Sequence, residues 1–180
     1  MSAILPNERT NAFLVRRVRL GLGLLLFAVA AFTLADVLFA GAARRAVSWV
    51  AMSEVTVVTT AFLLVSGRPS RELASATALA TLGIFCVTTA ITGALTHDTT
   101  TTPLLLVCLT LVSATLLPWG FRRQLKLVVV AGIAMVTNML LVGELTPLAG
   151  YANVAAVVSF AASLVVAREL EHNRQARERI

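Results

Sequence analysis

LASATALATLGIFCVTTAITGAL, residues 73–95, is a run of 23 residues without one charged side chain. As a helix rising ~1.5 Å per residue it covers about 34 Å, more than the ~30 Å hydrocarbon core of a bilayer. The composition of the whole chain agrees with this stretch. Of 180 residues, 58% are hydrophobic and 13% charged, where ordinary globular proteins have about 45–50% and about 25%. A soluble domain of this length could not bury so much apolar side chain and still cover itself with polar groups, whereas lipid can take the apolar surface. The charges cluster at segment ends and leave long neutral stretches between them.

Five further apolar runs flank the first: 20–40 and 47–65 before it, and 104–117, 125–142 and 148–167 after it. The run 104–117 is short, and it spans only if Thr99–Thr102 and Pro103 form its first turn. Proline fits there because the first N–H groups of a helix have no partner. The links 41–46, 66–72, 118–124 and 143–147 are too short for a folded loop domain, so helices adjacent in sequence are expected to be antiparallel neighbours. The expected fold is all-α: an integral membrane bundle of six transmembrane helices in three antiparallel hairpins. It divides into a basic cytoplasmic arm (1–19), the membrane domain (20–167) and a cytoplasmic helix (168–180) that begins a linker to an output domain.

Lysine and arginine set the orientation, because cytoplasmic loops carry them in excess. Arg9, Arg16, Arg17 and Arg19 precede the first run, and Arg68 and Arg71 follow the second. Arg122, Arg123 and Lys126 follow the fourth, and Arg168, Arg174, Arg177 and Arg179 follow the sixth. That is thirteen on one side against two, Arg44 and Arg45, on the other. Both termini are therefore expected in the cytoplasm, with the chain multi-pass in the membrane. Ala40-Gly41-Ala42 has the small residues of a signal-peptide cleavage site, but the apolar stretch before it is longer than the usual 7–15 residues. The net charge of +6 lies at helix ends, where it meets lipid headgroups; it offers no nucleic-acid surface outside the membrane. Trp49 and Trp119 fall near opposite interfaces, where indole rings prefer to sit.

Ionisable and amide side chains inside a membrane are costly, which makes each a candidate for function. Glu54 lies about eight residues into the second run and Asp36 near the end of the first. Asn138, Glu144 and Asn153 fall in the same half of the bundle. These five make up a candidate ligand or ion site. Structural roles stand beside it. Asp36 can reach water or pair with Arg44 or Arg45, Glu54 can hydrogen-bond to Thr or Ser across helices, and Asn138 can act as interhelical glue. His97 and Asp98 read as a solvated link. The third run is rich in small and hydroxyl residues such as Ala80, Thr81, Gly83, Thr89 and Gly93, which suits a central or dimer-forming helix. Cys86 and Cys108 lie inside apolar runs and mark neither a disulfide nor a metal site. No metal site or cofactor is expected, and no G-x-S-x-G, H-E-x-x-H, Walker-type or C-x-x-C motif offers catalytic chemistry.

The tail is charged, lacks Gly and Pro, and reaches Ile180 without a stop signal. Val166, Leu170, Asn173, Arg177 and Ile180 follow the +4, +3, +4, +3 stride of a coiled coil. One reading is a solvated amphipathic cap. The other is a relay helix (Leu170, Asn173, Arg177, Ile180) that joins the last span to a cytoplasmic output domain, in cis or in trans, within a parallel homodimer.

Leu117-Pro118-Trp119-Gly120-Phe121-Arg122-Arg123-Gln124 forms the fourth link. The segment resembles the Pro-Trp-Gly turn, followed by Arg and Gln, of bacterial six-helix N-terminal membrane modules. The whole chain is similar to them in layout: a basic arm, six short-looped spans and a charged helix. That resemblance implies a sensory or anchoring input module upstream of a histidine kinase, a PAS or GAF domain or a cyclase, and it places no ligand residue here. The alternative is a small transporter or channel with Glu54 and Asp36 on an ion or proton path.

Overall fold

The computed structural model describes residues 6–39, 43–67, 69–117, 119–143 and 146–178. Among them are six α-helices and no strand: α1 (Pro6–Phe39), α2 (Arg44–Ser66), α3 (Arg71–Thr96), α4 (Thr101–Leu116), α5 (Phe121–Val142) and α6 (Pro147–Glu178). The runs 47–65, 73–95, 125–142 and 148–167 each lie within a helix, α1 and α4 follow their runs as far as Phe39 and Leu116, and α1, α5 and α6 extend a turn or more into flanking charged residues. α1 starts at Pro6, inside the segment read as a basic arm; proline suits a first turn, and no Gly or Pro interrupts Asn7–Leu20. α6 continues without a break through the charged tail to Glu178, 32 residues in all. At ~1.5 Å per residue that is about 48 Å, well beyond a ~30 Å hydrocarbon core.

Four of these segments are long and apolar enough to cross a membrane: Arg44–Ser66, Arg71–Thr96, Phe121–Val142 and Pro147–Asn173. α4 is apolar but has only 16 residues, about 24 Å. It begins at Thr101 with Pro103 buried in its first turn, so Thr99 and Thr100 belong to the link and not to the helix.

The outward surface is apolar. Phe27, Leu140 and Tyr151 are 75%, 78% and 77% exposed, and Leu63, Ile84, Val112 and Val154 also face out from α2, α3, α4 and α6. Patches of this extent mark contact with something other than water. The interior, by contrast, is built largely from small residues. Ala74, Ala78, Ala131, Ala134 and Ala156 are buried beside Leu82, Leu106, Leu127 and Phe160. α3 is central, in contact with α1, α2, α4 and α5, as its small residues suggest. α2 packs along both of its sequence neighbours, α1 and α3, while two further extensive interfaces join helices that are not adjacent in sequence: α3 with α5, and α4 with α6. Buried hydroxyls are satisfied within their own helices: Thr81 Oγ1 donates to Thr77 O, and Thr110 Oγ1 to Leu106 O. This back-bonding lets hydroxyls sit in an apolar interior without an orphaned group.

Among the described glycines, Gly93 of α3 is the most tightly enclosed. A Cβ there would overlap Thr102 Oγ1 and lie 2.6 Å from Asn138 Nδ2 and 3.1 Å from Asp98 O. The backbone carbonyl cannot move aside as a side chain could. Gly93→Ala is therefore expected to cost about 1–3 kcal/mol through overpacking. Gly132, on α5, has open space where its Cβ would go, so Gly132→Ala is expected to be neutral or stabilising, since alanine is the better helix former. Thermal unfolding in detergent micelles checks both; equal midpoints for the two variants would contradict the close approach.

Candidate functional site

Three clusters of polar groups stand out against this background. The first is centred on Gln124, which has no exposed surface. Its Nε2 donates to Thr110 O at 2.9 Å and to Ser163 Oγ at 3.4 Å. Its Oε1 accepts from Trp119 Nε1 at 3.1 Å and lies 3.3 Å from Ser113 Oγ. Two donors and two acceptor positions exhaust what a glutamine amide offers. The contacts tie α4, α5, α6 and the α4–α5 link to one side chain. Trp119 is correspondingly buried, 6% exposed, so its indole closes the Gln124 cluster where the sequence suggested a membrane-interface anchor. Trp49, 67% exposed, keeps the outward position expected of such an anchor.

The second cluster lies beside the first. Gly120 has φ 85° and no side chain to cap α5. The cap comes from α6: Glu171 Oε2 accepts the Phe121 N–H at 2.9 Å. A Cβ on Gly120 would stand 3.2 Å from that carboxylate, so both the backbone angle and the neighbour call for glycine here. A carboxylate at a helix N-terminus meets unpaired N–H groups and the positive end of the helix dipole. Leu170, Trp119 and Arg71 line a small cavity of about 80 Å³ around this contact. At the same end of the bundle Arg19 caps α2, with Nε donating to Val65 O at 2.8 Å and Nη2 to Ser66 O at 2.7 Å. Cations suit helix C-termini for the converse reason.

The third cluster is at the opposite end, around the α3–α4 link. His97 ends α3 in the left-handed region at φ 54°. Asp98 Oδ1 then accepts the N–H groups of Thr100 and Thr101, each at 2.8 Å, and so caps α4. Asn138, which is buried, donates from Nδ2 to Ala90 O at 3.3 Å and joins α5 to α3, which is the interhelical glue role. Glu54 of α2 is half-buried and shares with Asp98 the wall of a long groove between α1, α3 and α4, about 460 Å³ in volume. Asn153 is buried on α6 away from that groove, and neither its Nδ2 nor its Oδ1 has a hydrogen-bond partner among the described residues. The backbone of Asp36 lies in α1, but its side chain, like that of Arg177, is outside the described groups, and Glu144 and Ile180 lie outside the described residues. Of the five candidates, then, Glu54 lines the groove, Asn138 reaches its Gly93 edge, and Asn153 lies apart. In the tail, Leu170 meets the small cavity while Asn173 is exposed.

No protein-family model matches the chain, and neither a curated protein nor a solved structure matches it.

Partial burial of Asp98 works to raise its pKa, but the N–H and hydroxyl of Thr101 and the N–H of Thr100 outweigh it, leaving the carboxyl below its usual 3.8. A carboxyl depressed on folding contributes stability above its unfolded pKa, and that stability is lost as pH falls through the folded value. Wild-type protein is therefore expected to lose thermal stability on acidification below about pH 4. Asp98→Asn, which keeps an oxygen for capping but does not titrate, is expected to show a shallower loss. Melting curves across that range check this; identical slopes would contradict the capping role.

Proposed function

We propose that this chain is the membrane input module of a signalling protein. All six helices cross a bacterial plasma membrane as three consecutive antiparallel hairpins, with both termini cytoplasmic, and the last helix carries a change in packing to an output domain of the histidine kinase or cyclase type. The observation that carries this reading is the Glu171–Phe121 hydrogen bond. Glu171 lies on the part of α6 beyond the apolar run, yet it caps α5 at the link between α4 and α5. Displacing α4 or α5 would disturb the Gln124 cluster and this cap together, and so alter how the tail of α6 is held. Signal relay by this route requires two arrangements that a stimulus stabilises differently. A relay helix also works most simply in a symmetric pair, so a homodimer belongs to the proposal, with the output domain in cis or in trans.

The second reading is a small transporter or channel. Glu54 on the wall of a long groove favours it. The regular helices count against it, because transporter sites are typically built on helices broken near the membrane midplane.

Native protein recovered from membranes with an antibody to the α6 tail is expected to carry, or to bring with it, a phosphotransfer or nucleotide-cyclising domain. A native mass of 19.1 kDa with no such effector co-purifying would contradict the proposal. Within the intact protein, Glu171→Ala is expected to shift basal output several-fold at unchanged membrane content; wild-type output would remove the α6 relay.

A further inference from the structure

The groove between α1, α3 and α4 is recessed. Its floor is α3, where Ala78, Leu82 and Phe85 are buried, and its sides are α1 and α4. The lips stand out on the apolar surface: Leu24 and Phe32 on one side and Val112 on the other, each about half exposed. The groove follows α4 from Thr101 to Leu117, about 24 Å of helix. At the Leu117 end the two sides meet, with Leu117 Cδ2 4.0 Å from where a Cβ on Gly21 would stand. The groove is thus a slot, closed at that end and open sideways on the face that meets lipid in a bilayer. Its polar wall residues Thr92, Thr96, Asp98, Thr101 and Thr102 gather toward the α3–α4 link. From Leu105 to Leu117 the α4 side is apolar except for Ser113, whose hydroxyl is already bonded to Thr110 O and Gln124 Oε1.

The dimensions of the slot select its occupant. A volume of about 460 Å³ spread along about 24 Å gives a mean section of about 19 Å². An α-helix with its side chains is ~10–12 Å across and needs a section of about 80–110 Å². A helix of a second copy could lay single side chains over the lips but could not enter. A hydrocarbon chain is thin enough to lie on the floor. The apolar stretch from Leu105 to Leu117 covers about 18 Å, close to the ~15 Å that one leaflet contributes to a ~30 Å hydrocarbon core. Left empty, the slot would deprive Leu25, Leu82 and Leu109 of packing partners on one side, a direct loss of dispersion contacts. In a bilayer the groups at hand to restore those contacts are acyl chains. A chain in the slot is enclosed on three sides, whereas a chain on the outward surface is touched on one.

We propose that the slot holds one acyl chain of a bilayer phospholipid as a resident part of the fold, seated on Leu82 and Phe85 between α1 and α4, with the headgroup left among the surrounding lipids. α1 packs chiefly on α2, and α4 chiefly on α6, so the chain fills the joint between those two pairs on this face. The site requires only that the bundle lies in a bilayer. It does not depend on the signalling role, and a transporter could hold the same chain.

The test has two parts. The full chain, extracted from membranes in a mild detergent and purified, is expected to carry about one phospholipid per chain in native mass spectrometry. Ala28→Phe and Val112→Trp fill the slot from its two sides, and each is expected to lower that occupancy several-fold. Ile133→Trp, on the outward face of α5, is expected to leave it unchanged. To locate the chain, the protein is reconstituted in phosphatidylcholine carrying a diazirine in one acyl chain, repurified in detergent and then irradiated, so that only retained lipid reacts. Adducts are expected at Leu82, Phe85 and Leu109 and not at the outward Ile133 or Leu140. Lipid-free wild-type protein, occupancy unchanged in both filling variants, or adducts spread over the outward residues would overturn the proposal. So would a lipid-free dimer that the filling variants dissolve, which would put a second copy over the groove. The adduct map on wild-type protein decides the matter even where a variant fails to fold.

Discussion

Outward-facing Phe27, Leu63, Leu140 and Val154 leave the polar groups of this bundle only two places to go: its two ends and its interior. In an apolar surrounding an unpaired amide or hydroxyl costs several kcal/mol, so each one inside needs a partner. Most of the interior answers this requirement. Hydroxyls bond back to their own helices, Asn138 reaches the α3 backbone, and Gln124 spends its whole amide on α4, α6 and Trp119. Asn153 is the exception among the described residues, and it is the place where the interior departs from the rule.

The same constraint explains the choice of small side chains. Helices that cannot gain from hiding apolar surface from water associate through close packing and a few hydrogen bonds. Ala74, Ala78, Ala131 and Ala134 allow that approach along α3 and α5, and Gly93 leaves room for Thr102 of α4 and Asn138 of α5. A larger residue at Gly93 would push against the Asn138 amide and so strain its hydrogen bond to Ala90 O. Where packing is looser, between α1 and α4, the long groove remains.

Much of this architecture is legible in the sequence, because apolar runs bounded by charge are read residue by residue. The runs 47–65, 73–95 and 125–142 fall within α2, α3 and α5, short of their ends by a few residues. Those ends were missed because a helix does not stop at the edge of the hydrocarbon; Arg and Lys side chains can carry their charge outward while the backbone stays helical. The cost of polar groups in lipid singled out Glu54 and Asn138. It did not single out Gln124 or Glu171, whose roles depend on partners as much as 50 positions away. Local signals for them exist only in part: α5 starts at Gly-Phe with no capping side chain, and one of the carboxylates of a tail of mixed charge supplies the cap. Trp119 was misplaced for a related reason. A tryptophan at the end of an apolar run suits either a lipid interface or a buried donor, and only the position of Gln124 decides between them.

The proposed six crossings of a membrane stand or fall on which links share a side. In a protein whose only cysteine is introduced, with Cys86 and Cys108 replaced by alanine, an impermeant maleimide should label His97→Cys in intact spheroplasts. It should label Arg122→Cys and His172→Cys only after permeabilisation. Labelling of the His97 and Arg122 positions from the same side would contradict the account.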